Sequence, residues 1–158
     1  MSSIQSSYMQ MAIDEAQKGV DLGDGGPFGA CIVKEGRVIS LGHNTVIASH
    51  DPTAHAEMNA IRQACSLLGT HDLSGTEIYT TSEPCPMCLA ALYWSRVSAI
   101  YVGVSRTVAA EFGFDDAFFY QELSQPEEAR AVKQRTGCLE APIRNLFSRW
   151  QGQNRPLY

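Results

Sequence analysis

The sequence predicts an α/β fold, a three-layer α/β/α sandwich with a central mixed sheet. Three observations carry that prediction. The elements read in the order helix, hairpin, helix, strand, helix, strand, an alternation that puts helices on both faces of a mixed sheet. The 158 residues hold no repeat, low-complexity tract or long linker, so residues 1–158 read as one domain. Composition agrees, because 44% hydrophobic and 18% charged residues can bury a core at this length without disulfide staples.

Taken in order, Ser7 to Lys18 places Met11, Ala12 and Ala16 at helical spacing with Gly19 behind, a helix ended by glycine. Asp21 to Pro27 is a Gly/Asp-rich loop. Phe28 to Val33 and Val38 to Leu41 flank Glu35-Gly36 and predict a β-hairpin. The turn Asp51-Pro52-Thr53 leads into a helix from about Ala54 to Leu68, with Met58, Ile61, Cys65 and Leu68 as its apolar stripe and Gly69 as its stop. Glu77 to Thr80 is a strand, a helix runs from near Cys85 to about Ser95, and Ala99 to Val104 is a further strand. Beyond it, Ser124-Gln-Pro-Glu-Glu128 has the form of a capped helix start with Pro126 in the first turn. Ile143, Leu146, Phe147 and Trp150 make Pro142 to Gln151 amphipathic.

Charge and targeting narrow the function classes. A formal net charge of -5 argues against a surface that wraps a polyanion and leaves a free base or nucleoside open. The first ten residues carry no basic segment followed by an apolar stretch, and no apolar run reaches membrane-spanning length. The expectation is a cytoplasmic protein with no membrane contact. Five cysteines, an odd number, fit reduced thiols better than a disulfide framework. Cys31 and Cys65 fall on predicted buried faces and read as small core hydrophobes, while Cys138 has no assigned role.

The chemistry concentrates in Thr53-Ala-His55-Ala-Glu57 and, downstream, Glu83-Pro-Cys85-Pro-Met-Cys88. A catalytic zinc takes three protein ligands and keeps a fourth position for water, and His55, Cys85 and Cys88 supply such a set. Cys85 and Cys88 stand at i and i+3, on one side of a starting helical turn, with Pro86 where a missing N–H costs nothing. The partial positive charge of that helix terminus favours the thiolates zinc requires. Water on such an ion falls in pKa from about 15.7 toward roughly 7. Glu57, two residues beyond His55, can reach that water without ligating the metal and serve as general acid and base.

Each piece has a plainer reading. Cys85-Pro-Met-Cys88 also fits a redox pair, His55 a hydrogen-bonded structural histidine, and Glu57 a solvated first-turn acid. Together they match the His-x-Glu and Pro-Cys-x-x-Cys signature of zinc-dependent nucleobase deaminases, in which the glutamate is not a ligand.

Over nearly its whole length the chain resembles the cytidine deaminase superfamily, and within it the guanine deaminase branch. The likeness runs through the zinc motifs, Gly25-Gly-Pro-Phe-Gly-Ala30, Asn44, Tyr93-Trp94, Gly113-Phe-Asp-Asp116 and the terminal Tyr158. The resemblance implies a cytidine deaminase-like fold and one zinc ion per subunit. It implies hydrolysis of guanine to xanthine and ammonia, with hydroxide adding at C2 and Glu57 carrying protons. Phe28 would stack on the purine, Asn44 would bond its ring edge, and Trp94 would close the pocket. Asp116 would contact the amino side and take part in proton transfer. It implies also a homodimer that exchanges residues 140–158, so that Tyr158 caps a neighbouring site.

Rival substrates remain. Guanosine or another aminated heterocycle, such as an aminotriazine, differs only in the room the pocket leaves. A tRNA adenosine deaminase shares both zinc motifs, but the last third of the chain has no basic run for phosphates. A cytosine or cytidine deaminase fits the Gly-Phe-Asp-Asp segment less well. Of a different class is a structural zinc or redox module; structural zinc takes four protein ligands, and three are found here.

Overall fold

Helix α1 is longer than its apolar stripe suggests. In the computed structural model, which describes residues 2–157, it spans Ser3–Leu22. Its start is set by a capping box, with Ser2 Oγ accepting from the Gln5 amide at 3.2 Å and Gln5 Oε1 accepting from the Ser2 amide at 2.9 Å. Its stop is not Gly19, which stays helical, but Gly23, whose left-handed φ of 73° ends the last turn.

Strands β1 (Gly29–Lys34) and β2 (Arg37–His43) form the expected hairpin over Glu35-Gly36, both in the left-handed region that a type I′ turn requires. After a short helix α2 (Val46–Ser49) come α3 (Ala56–Leu68), β3 (Thr76–Ser82), α4 (Pro86–Trp94) and β4 (Ala99–Val104). Among the described residues the sheet order is β2-β1-β3-β4, antiparallel across β1 and parallel between β3 and β4. The parallel pair is joined by α4, as a parallel connection needs a crossover. The mixed sheet is the one the sequence predicts.

Strand alternation sorts the core into two sides. Cys31, Val33 and Tyr79 pack with Met9 and Ala12 of α1, whereas Ala30, Ile32 and Ile78 pack with Ala56, Ala60, Ile61, Ala64 and Leu92 of α3 and α4. That gives three layers. The seam of α3 is not the predicted stripe, since Met58, Cys65 and Leu68 are only half-buried and Ala56, Ala60 and Ala64 are closed off. The small side chains let α3 lie close to β2. A Cβ on Gly42 would sit 2.5 Å from the Ala56 carbonyl oxygen, and Ser40 Oγ donates to the Ala60 carbonyl at 2.8 Å. This close seating places the start of α3 against the sheet.

Residues through Ala117 form one compact unit and those from Phe118 a second. The first unit continues past β4 into α5 (Arg106–Glu111), which periodicity did not reveal at six residues. Helix α6 (Ala117–Ser124) bridges the boundary in sequence. In the second unit the expected helix start at Ser124 gives only a 3₁₀ turn, Glu127–Ala129, and α7 runs Glu140–Gln151.

Candidate metal centre and the residues around it

His55 and Cys85 occupy equivalent positions, each the N-cap of its helix. Both have extended backbone (φ, ψ of -70°, 160° and -65°, 167°), and neither spends its side chain on capping. The donors are therefore turned away from their own helices and toward each other. Pro86 takes the first helical position of α4, where the chain needs no N–H, and Cys88 follows in the same turn, fully buried. The β3–α4 junction thus brings two sulfurs to the N-terminus of α3, thirty residues away in sequence.

His55 Nδ1 lies 3.6 Å from Cys85 Sγ and 3.5 Å from Cys88 Sγ, and the three donor atoms all lie within 4.8 Å of one another. Bonds of about 2.3 Å to sulfur and 2.0–2.1 Å to nitrogen, opened to a tetrahedral angle, set those atoms about 3.6 Å apart. The set fits a zinc ion. Among the described residues no fourth His, Cys, Asp or Glu joins the group. Three ligands leave a coordination position open, which a purely structural zinc site would not.

The donors share protons tightly. Cys85 is lowered to about 4, chiefly because the Cys88 thiol donates to it, with His55 adding to the effect. Cys88 is pushed well up by the same bond and by burial. His55 is raised by its contact with the Cys85 sulfur. Such a cluster holds protons that a divalent cation displaces on binding.

Glu57, in the first turn of α3, is 6% exposed, and burial raises its carboxyl above the usual range. Thr80 Oγ1, pointing from β3 into the same layer, lies 3.3 Å from Glu57 Oε1 and 3.1 Å from the Ser82 carbonyl. A carboxyl that readily takes a proton therefore sits beside the metal-binding group.

Asn44 is buried just beyond β2. Its Oδ1 accepts from the amides of Gly26 at 3.3 Å and Val46 at 3.1 Å, which leaves Nδ2 as the group free to donate among the described residues. The turn at Gly25 exists for this residue, since a Cβ there would run into Asn44 Oδ1. Phe28 is half-buried and meets Phe114 edge-on, with centroids 4.8 Å apart at 83°. That contact ties the Gly-Phe-Asp-Asp segment to Phe28. Asp116 is half-buried and raised, first by burial and then by the negative charge of Cys85, with Arg106 opposing. Its response to Cys85 puts it within electrostatic reach of the metal group.

Of the two remaining expected residues, only Trp94 is described. Trp94 is the last residue of α4, about 12 Å of helix from Pro86, and 67% exposed. Tyr158 lies outside the described residues. Conversely, Thr80 and Phe114 were missed. Thr80 carries a signal, being a polar residue at a core-facing strand position; Phe114 carries none beyond its place in the segment already singled out.

Comparison with known proteins agrees with the geometry. The sequence model of the cytidine and deoxycytidylate deaminase zinc-binding region matches residues 2–104. A guanine deaminase of Bacillus subtilis (strain 168) is 50% identical over 126 residues, 80% of this chain and 81% of that one. A tRNA-specific adenosine deaminase of Aquifex aeolicus (strain VF5) is 48% identical over 93 residues, 59% and 61% of the two chains. The X-ray structure of guanine deaminase from Bacillus subtilis superposes with a TM-score of 0.92 at 43% identity, covering 100% of this chain and 99% of that one.

Proposed function

Because the chain belongs to the cytidine and deoxycytidylate deaminase zinc-binding family, we propose that it hydrolyses guanine to xanthine and ammonia. The observation that carries the reaction type is the tetrahedral spacing of His55, Cys85 and Cys88 with the buried Glu57 two residues from His55. The choice of guanine is supported by the Bacillus subtilis guanine deaminase, which resembles the chain along most of both lengths.

His55, Cys85 and Cys88 would hold one zinc ion per subunit, which would supply the Lewis acidity that activates water near neutral pH. Glu57 takes one proton from the attacking water and gives it to ring nitrogen N3, then takes the second from the new C2 hydroxyl and gives it to the amine, so that ammonia leaves as the C2–N bond breaks and the C2 carbonyl forms. Its burial suits it to this work, because a carboxyl raised above its usual range is a better proton acceptor than a solvated one. Asn44 Nδ2 donates to an acceptor on the purine edge, and Phe28, braced by Phe114, stacks on the ring. Asp116 meets the amino side and assists proton transfer.

The test is ammonia release from guanine, guanosine, adenine, cytosine and cytidine by the zinc-loaded protein. Guanine is expected to be turned over fastest by at least tenfold, which is about 1.4 kcal/mol of transition-state preference. Equal or faster turnover of guanosine or cytidine would overturn the substrate.

The same reading extends to assembly. We place the protein in the cytoplasm as a homodimer in which residues 140–158 cross to the partner and Tyr158 caps its site. Supporting this, Leu146 and Phe147 of α7 are 60% and 68% exposed, and Tyr93 of α4 is 76% exposed. Among the described residues no helix is long and apolar enough to cross a membrane. A truncation at residue 139 should lose dimers and activity together; retention of both sinks the exchange.

A further inference from the structure

His43 ends β2, immediately before Asn44, and both of its ring nitrogens meet a carboxylate. Nδ1 lies 2.7 Å from Glu15 Oε1 on α1, and Nε2 lies 2.8 Å from Asp24 Oδ2 in the loop that precedes Gly25. The three side chains are 12%, 14% and 24% exposed. Each ring nitrogen is thus within hydrogen-bond distance of a carboxylate, and Lys18 Nζ lies 3.3 Å from the same Glu15 oxygen. The helix is notched for the ring, since a Cβ on Gly19 would lie 2.5 Å from His43 Cδ2. None of these residues belongs to the zinc motifs or touches the metal-binding group.

The connections from this clamp lead to the substrate-facing residues. The Asp24 carbonyl accepts from the amides of Ile47 at 3.1 Å and Ala48 at 3.0 Å, so the residue that grips His43 also secures α2. The His43 carbonyl accepts from Asn59 Nδ2 of α3 at 2.9 Å. The chain after Asp24 is the turn whose Gly26 amide reaches Asn44 Oδ1, and the Asn44 amide in turn donates to the Phe28 carbonyl at 3.1 Å. One side chain thus fastens α1 to the loop at the point where that loop wraps Asn44.

We infer that His43, held between Glu15 and Asp24, is a positioning residue that sets substrate affinity by holding the Asn44 amide and the Phe28 ring ready for the purine. The inference rests on the guanine reading of Asn44 and Phe28 given above. Its physical basis is preorganisation. A loop already fixed in its bound form pays no ordering cost when the base arrives, so loosening it weakens binding more than it slows chemistry.

The experiment is steady-state guanine kinetics on zinc-loaded His43→Phe, Asp24→Ala, the double variant and Asn44→Ala, with metal content measured for each. His43→Phe keeps a ring against Gly19 and removes both ring nitrogens. It should raise KM about tenfold, hold kcat within twofold and retain one zinc per chain. Asp24→Ala, which removes one of the two links, should raise KM at least threefold with kcat held, and the double variant should be no worse than His43→Phe, which has already lost the Asp24 contact. Should His43→Phe fail to fold, Asp24→Ala still decides. A KM within twofold of the parent, a fall in kcat at unchanged KM, or single effects that multiply in the double variant overturns the inference. Asn44→Ala separates the two claims. A raised KM there with a normal His43→Phe sinks the clamp alone, and an unaltered KM in Asn44→Ala sinks both.

Discussion

At the scale of single residues, Glu57 and Thr80 show how a buried acid is prepared for proton transfer. Burial raises the Glu57 carboxyl, and Thr80 Oγ1 is a side-chain oxygen beside it in the same layer. Glu57→Gln should keep full zinc content by metal analysis and lose roughly 10²–10⁴ in kcat, the range general acid/base catalysis supplies. Thr80→Val preserves shape and removes the hydroxyl. It should lower kcat about fivefold with KM unchanged, the loss of about one hydrogen bond, while Thr80→Ser stays near parental turnover. Glu57 was legible because a motif only three residues long carries it. Thr80 and Phe114 were not, since their importance lies in which atoms the sheet and the loop after α5 bring beside them.

At the scale of elements, helix termini do most of the positioning. His55 and Cys85 serve as N-caps without giving up their side chains, and Pro86 forces α4 to begin where the sulfurs are needed. The seat of α3 depends on Gly42. Gly42→Ala should cost about 1–3 kcal/mol in chemical denaturation, the usual range for overpacking, because backbone of α3 rather than a flexible side chain meets the new methyl. Zinc affinity should fall with it, since the displaced helix begins at His55. Elements of the sheet were readable because β1 and β4 have apolar runs bounded by turns and β3 sets the β-formers Ile78, Tyr79 and Thr80 together. The short α2, α5 and α6 were not, being four, six and eight residues long and too brief for a helical period to stand out. The far end of α1 was misread at Gly19 because that glycine serves packing, and the one that ends the helix lies four residues on.

At the scale of the whole molecule, stability carries a pH signature from the α1 side of the core. Burial raises the Cys31 thiol from 9.0 to about 11, so above pH 9 the unfolded chain ionises while the native thiol stays protonated. The unfolded state then binds fewer protons, and stability should decline by up to about 1.4 kcal/mol per pH unit between pH 9 and 11. Denaturation midpoints across that window measure it, and Cys31→Ala should flatten the slope. The division after Ala117 has no linker to mark it, although the charge balance changes there, from 6 Lys and Arg against 13 Asp and Glu up to Ala117 to 6 against 4 from Phe118.

Reaction type was written into short stretches of chain. Residue identity selects the metal and the proton carrier, and the backbone geometry of a helix start is encoded within four or five residues, so Thr53–Glu57 and Glu83–Cys88 announced a zinc deaminase before any folding was considered. The folded arrangement was needed to join His55 to sulfurs thirty residues away, to fix Asn44 Oδ1 on the Gly26 and Val46 amides, to place Phe114 on Phe28 and to clamp His43 between Glu15 and Asp24. These pairings depend on strand register and helix seating. Their partners are distant in sequence, and a side chain such as His43 carries no local mark of what it will meet.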